Sequence, residues 1–327
     1  MFAVQFERFG PPGVLAVGSA PEPRPGPHQV RIAARTAAVS PVDLGLRAGE
    51  TAMSRKLALP HVPGVDAAGV IDEIGVDVTG YAVGDEVFGA VDVARLGGAS
   101  AQFVVLDFWA AKPKSLSWAE AGAAGTSVET ATRALDLLDV DDHTTLLIDG
   151  AAGGVGCITV QLAVARGARV IGTARPESHG FLEDLGAEPV DYGPGLPSRV
   201  RALAADYGPG LPARALARGP VNRALDVAGA GSLAELIDLT GAADRVVTLA
   251  DFTAADHGVR LSTGRLGGQP DGVHGLATAA VLAEQGRFRV PVRETYPAAR
   301  AAEAHETAAK PPRRGKVVLD LSDLGQH

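Results

Sequence analysis

Cysteine is almost absent from this 327-residue chain, and its single instance, Cys157, excludes an internal disulfide and a cysteine-built zinc cluster. Cys157 follows a glycine-rich turn on a helix-like stretch, the setting of a buried structural thiol rather than a reactive one. Uninterrupted apolar runs of about 18 residues are also missing, so no membrane span is expected. The opening "MFAVQFERFG" lacks the basic-then-apolar order of a secretory signal, which makes a reducing cytoplasm the default expectation. Positive charge is outnumbered: a net charge of −8 argues against broad nucleic-acid binding and leaves only a local basic patch open. Aromatic residues make up 5% of the chain while Gly and Ala abound, a composition suited to closely packed helix and sheet layers.

A hydrophobic content of 46% with 21% charged residues is that of a soluble globular protein, and the length suffices for two domains. The first third is rich in β-type segments broken by Pro and Gly, such as "QVRIAARTAAVS", "GVDAAGVIDEIG", "GDEVFGAV" and "AQFVVLD". Their spacing predicts a compact, largely antiparallel β-domain. From Trp118 the texture becomes helical in "SWAEAGAAGTSVETATRALDLL". Strands and helices then alternate. "TTLLID" reads as a strand, "GVGCITVQLAVAR" as a helix stopped by Gly167, and "ARVIGT" as a second strand. "SHGFLEDLG" follows as a short helix, with Ser178 as N-cap and Gly186 past its end. "NRALDVA" and "DRVVTLA" supply further strands around the helical "SLAELIDL". Such alternation predicts a parallel sheet with helices on both faces. After the helical "LATAAVLAEQG", a last strand, "KVVLDL", is expected to return to the first domain, so that the β/α unit is an insertion.

The 15-residue stretch "DYGPGLPSRVRALAA" from Asp191 is followed at once by "DYGPGLPARALARGP" from Asp206, a tandem duplication. One pair is too few for a solenoid. It reads as an enlarged surface loop and helix, with a lid or partner surface as the other reading.

In "LLIDGAAGGVG" the glycines Gly150, Gly153 and Gly156 recur at three-residue spacing, with Ala151 where the dinucleotide fingerprint opens on Gly. The variant is weak alone, but a strand precedes it and a helix follows. Glycines let the backbone approach a pyrophosphate, and the helix N-terminus presents free N–H groups to it. An NAD site places an acid at the end of the second strand, about 20 residues on. Here Thr173, Ala174 and Arg175 contain no acid and one guanidinium, which suits the 2′-phosphate of NADPH. A charge-assisted contact there contributes roughly 1.5–3 kcal/mol, or about ten- to a hundredfold in affinity. The missing acid also disfavours an S-adenosylmethionine site.

In this order, "GPPGVLAVGSAPEPRPGPHQVRIAARTAAVSPVDLGLRAG", "PHVPGVDAAGVIDEIG", "YAVGDEVFG", "TATRALDLL", "LLIDGAAGGVG" and "RGKVVLDL" resemble the medium-chain dehydrogenase/reductase superfamily. The branch is that of the zinc-free quinone oxidoreductases, with zeta-crystallin-like and enoyl reductase relatives. The likeness covers nearly the whole chain. It implies an α/β fold: a GroES-like β-rich catalytic domain at 1–121, completed by 269–327, and a doubly wound Rossmann domain at 122–268 that binds NADPH. By the same resemblance, Ala152, Gly153, Gly154, Val155 and Gly156 meet the pyrophosphate. Thr173 and Arg175 surround the 2′-phosphate, Tyr192 lies beside the adenosine half, and Leu249 and Ala250 end a strand near the nicotinamide. Ser40 and Thr130 are the expected catalytic hydroxyls on the nicotinamide side, and Lys316 closes over the cofactor from the tail.

Three departures bear on these roles. Ser178 stands where relatives often carry Lys, which leaves most of the 2′-phosphate to Arg175. "SPVD" replaces "NPxD", so Ser40 stands where relatives have an Asn that holds the ribose. Tyr207 duplicates Tyr192, and only the strand-like "AEPVDY" favours Tyr192.

Zinc-dependent relatives carry a ligand His in "GHE", whereas this chain has Gly64, Val65 and Asp66 there, and His61 comes too early. No metal ligands are therefore assigned, and polarising an unactivated alcohol becomes difficult. Hydride transfer to a quinone or an α,β-unsaturated carbonyl needs only positioning and a few hydrogen bonds. The Tyr proton donor of some enoyl reductases is missing from "LRAGETAMSRKLALP", which leaves water or an unidentified group. Asp43 reads as a loop brace rather than a base, and Arg47 either orients an anionic substrate or pairs with Asp43. The expectation is a cytoplasmic NADPH-dependent reductase of small quinones or enones; the alternative is an NADPH-binding sensor or structural protein of low turnover. The resemblance also implies a homodimer joined through an edge strand near "GVRLS".

Overall fold

The computed structural model describes residues 1–205, 220–311 and 314–325. The second copy of the duplicated segment, from Asp206 and including Tyr207, lies outside the described residues. The chain divides into two compact units, Met1–Ser127 with Val273–His327, and Val128–Gly272.

In the first unit, the strand Val30–Val39 is buried along nearly its whole length and forms the spine of a seven-stranded sheet. It pairs antiparallel with Asp66–Ile74 on one side and with Phe103–Leu106 and Lys316–Asp320 on the other. Glu86–Ala90 and Phe108–Ala111 extend the sheet beyond Asp66–Ile74, and Val292–Pro297 closes the opposite edge. Ile32, Ile71, Leu106, Val317 and Leu319 pack its core together with Phe6 from the hairpin Phe2–Phe6/Leu15–Ser19.

Three elements end near one another by register. Val317 faces Val39, and Ala38 faces Asp66, so Lys316, Ser40 and Asp66 lie at the same end of three neighbouring strands.

The second unit carries a six-stranded parallel sheet in the order Glu188–Asp191, Arg169–Ala174, Thr145–Asp149, Arg223–Asp226, Val246–Thr248, Arg260–Leu261. The chain starts in the middle, winds outward, and returns to start again on the other side. The order therefore reverses between Thr145–Asp149 and Arg223–Asp226, the switch point at whose carboxyl side ligands bind in open α/β sheets. Helix Gly156–Ala165 is buried from Gly156 to Ala163, as a helix apolar on all sides must be. Its polar members bond back to their own helix: Thr159 Oγ1 donates to Val155 and Gln161 Nε2 to Cys157.

Two local expectations are corrected. Ser178 precedes helix His179–Asp184, but its hydroxyl caps nothing, because the 3-10 turn Pro176–Ser178 already delivers the chain in a helical path. Leu249 and Ala250 lie beyond a strand that stops at Thr248, where the Thr248 hydroxyl accepts the Ala250 and Asp251 amides and turns the chain out of the sheet. Among the described residues, no helix is long and apolar enough to cross a membrane.

Candidate functional site

The glycine turn of the second unit leaves the strand Thr145–Asp149 at the switch point. Gly150 has φ +88°, a conformation that side chains rarely adopt. A Cβ on Gly156 would meet the Gly150 carbonyl oxygen at 2.3 Å, so the first turn of the helix can press on the loop only without a side chain. Thr173 holds the loop's entry: its Oγ1 accepts from Gly150 N at 2.9 Å and its carbonyl accepts from Ala151 N at 3.1 Å. Among the described residues, the amides of Ala152, Gly154, Val155 and Gly156 donate to no protein acceptor. Four open N–H groups at the N-terminus of a buried helix fit a pyrophosphate.

Beneath this turn a polar row crosses the carboxyl edge of the sheet. Thr173 donates to Asp149 at 2.5 Å, Ser232 donates to the other oxygen of Asp149 at 2.6 Å, and Thr248 donates to Asp226 at 2.7 Å. The amides of Ala228 and Gly229 complete the shell of Asp226. Asp149 and Asp226 face each other in register on adjacent strands, both buried. Burial, and then the charge of Asp149, push the Asp226 carboxyl above the usual range against the Thr248 and amide hydrogen bonds. Sequence reasoning missed this pair; an acid at the end of an apolar strand was its one signal.

Thr173 faces inward, towards the end of the neighbouring strand. Its hydroxyl donates to Asp149 and the residue is 1% exposed, so it shapes the turn. Arg175 follows on the surface, its side chain 53% exposed and 4.0 Å from Glu177, an acid that the sequence reading did not weigh. Tyr192 is exposed just beyond Asp191, which pairs with His179 at 3.1 Å. Thr130 sits on helix Gly125–Leu137 with its hydroxyl donating to Glu129 and accepting from Arg133. Glu129 and Arg133 form a buried ion pair at 2.9 Å, and Arg133 also reaches the Ser262 hydroxyl.

The first unit gathers a second cluster. Lys316 is buried, and its Nζ donates to Ser40 Oγ at 3.2 Å, Ser127 Oγ at 3.3 Å and Asp66 Oδ2 at 3.4 Å. In this unit the Lys316 ammonium is held inside the sheet end by these three partners. The other oxygen of Asp66 accepts the Thr126 amide at 2.5 Å. Asp43 braces a loop by accepting the amides of Ser40 at 2.8 Å and Gly64 at 2.9 Å. Burial lifts its carboxyl to about 6 against those two hydrogen bonds. Arg47 donates to the Gly10 carbonyl, and His61 Nε2 meets the Leu96 carbonyl. Asp66 and Ser127 escaped the sequence reading, although an acid inside the apolar "GVDAAGVI" already called for a buried partner.

Among the described residues, no three of His, Cys, Asp and Glu converge as ligands, and Asp66 has a lysine ammonium beside it. The described residues do not fit a zinc ion.

Residues 26–116 match the family described as alcohol dehydrogenase GroES-like domain, and residues 201–319 the one described as zinc-binding dehydrogenase. Quinone oxidoreductase of Mus musculus is 38% identical over 181 residues, which are 54% of this chain and 53% of that protein. The 2-methylene-furan-3-one reductase of Solanum lycopersicum is 37% identical over 174 residues, 50% of this chain and 45% of that protein. The chain thus spans about half the length of the curated relatives it matches. A solved structure described as a putative zinc-dependent alcohol dehydrogenase protein from Rhizobium etli CFN 42 aligns over 98% of both chains, at 30% identity and a TM-score of 0.81.

Proposed function

Because the chain belongs to the medium-chain dehydrogenase/reductase superfamily, and there to the quinone oxidoreductase type, we propose that it is an NADPH-dependent, zinc-independent reductase of quinones or activated C=C bonds. The observation that carries this reading is the glycine turn at the switch point, with its open amides and with Arg175 rather than an acid after the second strand. NADPH, when bound, supplies a hydride from its nicotinamide.

In this reading, Ala152, Gly154, Val155 and Gly156 hold the pyrophosphate through open backbone N–H groups and the helix N-terminus, and Gly153, whose amide donates to Gly150, lets the turn approach it closely. Arg175 pairs with the 2′-phosphate, which competes with the loose contact to Glu177. Tyr192 flanks the adenosine, and Leu249 and Ala250 line the nicotinamide. Ser40 and Thr130 are the hydroxyls offered to the substrate, of which Thr130 has its proton on Glu129 and is the weaker donor. A conjugated acceptor takes the developing charge on its own oxygen, so a metal Lewis acid is not required. The protein is proposed to act in the cytoplasm as a homodimer, with the edge strand Arg260–Leu261 as the seam.

The test follows nicotinamide absorbance with a panel of quinones and enones. Acceptor-dependent oxidation of NADPH is expected. Tight NADPH binding without oxidation by any acceptor would replace the reductase with a sensor or structural protein of low turnover.

A further inference from the structure

We infer that Lys316 polarises the Ser40 hydroxyl, so that Ser40 and Thr126 together hold the oxyanion formed when a carbonyl-conjugated acceptor is reduced. The inference rests on the proposed reductase reading for its substrate class, but its geometry lies wholly within the first unit.

An ammonium has donors only, so at 3.2 Å Ser40 Oγ must accept from Lys316 and keep its own proton for another acceptor. The acceptor in view is Asp66 Oδ2 at 3.4 Å, the weak end of hydrogen bonding. That proton is held loosely and is polarised by the charge behind it. Asp66 is occupied elsewhere: one oxygen accepts the Thr126 amide at 2.5 Å and the other faces Lys316.

A second, independent observation lies on the residue whose amide Asp66 accepts. The Thr126 hydroxyl is buried and has no hydrogen-bond partner. A buried donor left unmade is destabilising, and a ligand oxygen would remove that cost. Lys316 and Asp66 offset each other, and Asp43, on the Ser40 amide, is a second carboxylate that Lys316 also faces, so the hydroxyl donors suit a substrate that is neutral when it binds and becomes anionic only during reaction.

The step balances. Hydride adds to the electron-poor carbon, the conjugated π pair moves to oxygen, and the oxyanion accepts from Ser40 and Thr126. One solvent proton then completes the saturated carbonyl or hydroquinone. Lys316 touches neither substrate nor product, and is a positioning residue acting through Ser40.

The probe is 4-nitrophenolate, whose absorbance reports the ionised form, titrated into the full chain with its neutral methyl ether as control. The wild-type protein is expected to prefer the phenolate, and Lys316→Met to lose roughly tenfold or more of that preference, with Lys316→Arg restoring part of it. NADPH affinity should change less than twofold in both. With a competent acceptor, Lys316→Met should lower kcat by about a hundredfold while the KM for NADPH holds. Lys316→Met strands Asp66, so Ser40→Ala/Thr126→Val, which keeps the ion pair, is measured beside it and should lose the phenolate equally.

No phenolate preference in the wild type overturns the inference, as does full retention in the folded double variant. A Lys316→Met protein that loses NADPH affinity yet keeps the phenolate makes Lys316 a cofactor ligand, and overturns it too. Lys316-dependent phenolate binding supports the inference even if no acceptor oxidises NADPH; that failure would sink the reductase reading alone.

Discussion

The two units bury carboxylates at the ends of their sheets in opposite ways. In the parallel sheet, Asp149 and Asp226 lie side by side and are satisfied by three hydroxyls and two amides. In the antiparallel sheet, Asp66 has a lysine ammonium beside it. The first arrangement spends neutral donors to tie loops together and leaves the basic group of that edge, Arg175, out in solvent beside a weakly placed acid. The second spends its one cation internally and offers hydroxyls. An edge that keeps amides and a guanidinium open suits an anionic cofactor; a cluster of hydroxyls suits an uncharged acceptor.

The sharpest way to break this contrast is to remove one carboxylate from each sheet. Asp66→Ala leaves Lys316 buried and unpaired, and is expected to destabilise the first unit by about 3–5 kcal/mol. Asp149→Asn removes a charge that only hydroxyls satisfied, and should cost about 1–3 kcal/mol. Urea titrations of both variants decide the order, and equal losses would erase the distinction.

Next in size is the cofactor edge. Arg175→Ala is expected to weaken NADPH by roughly ten- to a hundredfold and to leave NADH unchanged. Isothermal titration with both nucleotides measures it, and an equal loss for both would remove the 2′-phosphate role. Gly156→Ala, whose Cβ would meet the Gly150 oxygen at 2.3 Å, should weaken both nucleotides together because the whole turn must shift.

The smallest effect is a pH dependence of the first unit. Burial, and then the charge of Arg47, depress His305 to about 3 from 6.5, so its stabilisation is present above pH 6.5 and drains as pH falls towards 3. Asp43 runs the other way: lifted to about 6 from 3.8, it stabilises most below pH 3.8 and loses that contribution as pH rises through 6. Between about pH 4 and 6 the two slopes, each up to about 1.4 kcal/mol per pH unit, largely cancel. His305→Gln should unmask Asp43, so that urea stability rises as pH drops from 6 to 4. A variant whose stability falls over that range contradicts the assignment.

What could be read from the amino acids follows the same division. Gly150 and Gly156 were legible because a left-handed φ and a backbone contact allow one residue type, and the strand–turn–helix context lies within a few positions. Alternating strands and helices likewise announced the parallel sheet. The internal bonds of Lys316 were not legible because its partners Ser40 and Asp66 lie 276 and 250 residues away, and only sheet register brings them together. Thr173 was expected to face the cofactor, but one acid on the neighbouring strand, Asp149, draws its hydroxyl inward. Local chemistry shows in local sequence; the direction in which a polar side chain turns depends on a neighbour that only sheet register brings beside it.

The most direct test of the account is a fluorescence titration of the full chain with NADPH and with NADH. Saturable NADPH binding, at least tenfold tighter than NADH, is the predicted result. Binding of neither nucleotide would show that the open amides of the glycine turn hold no pyrophosphate, and would contradict the account at its centre.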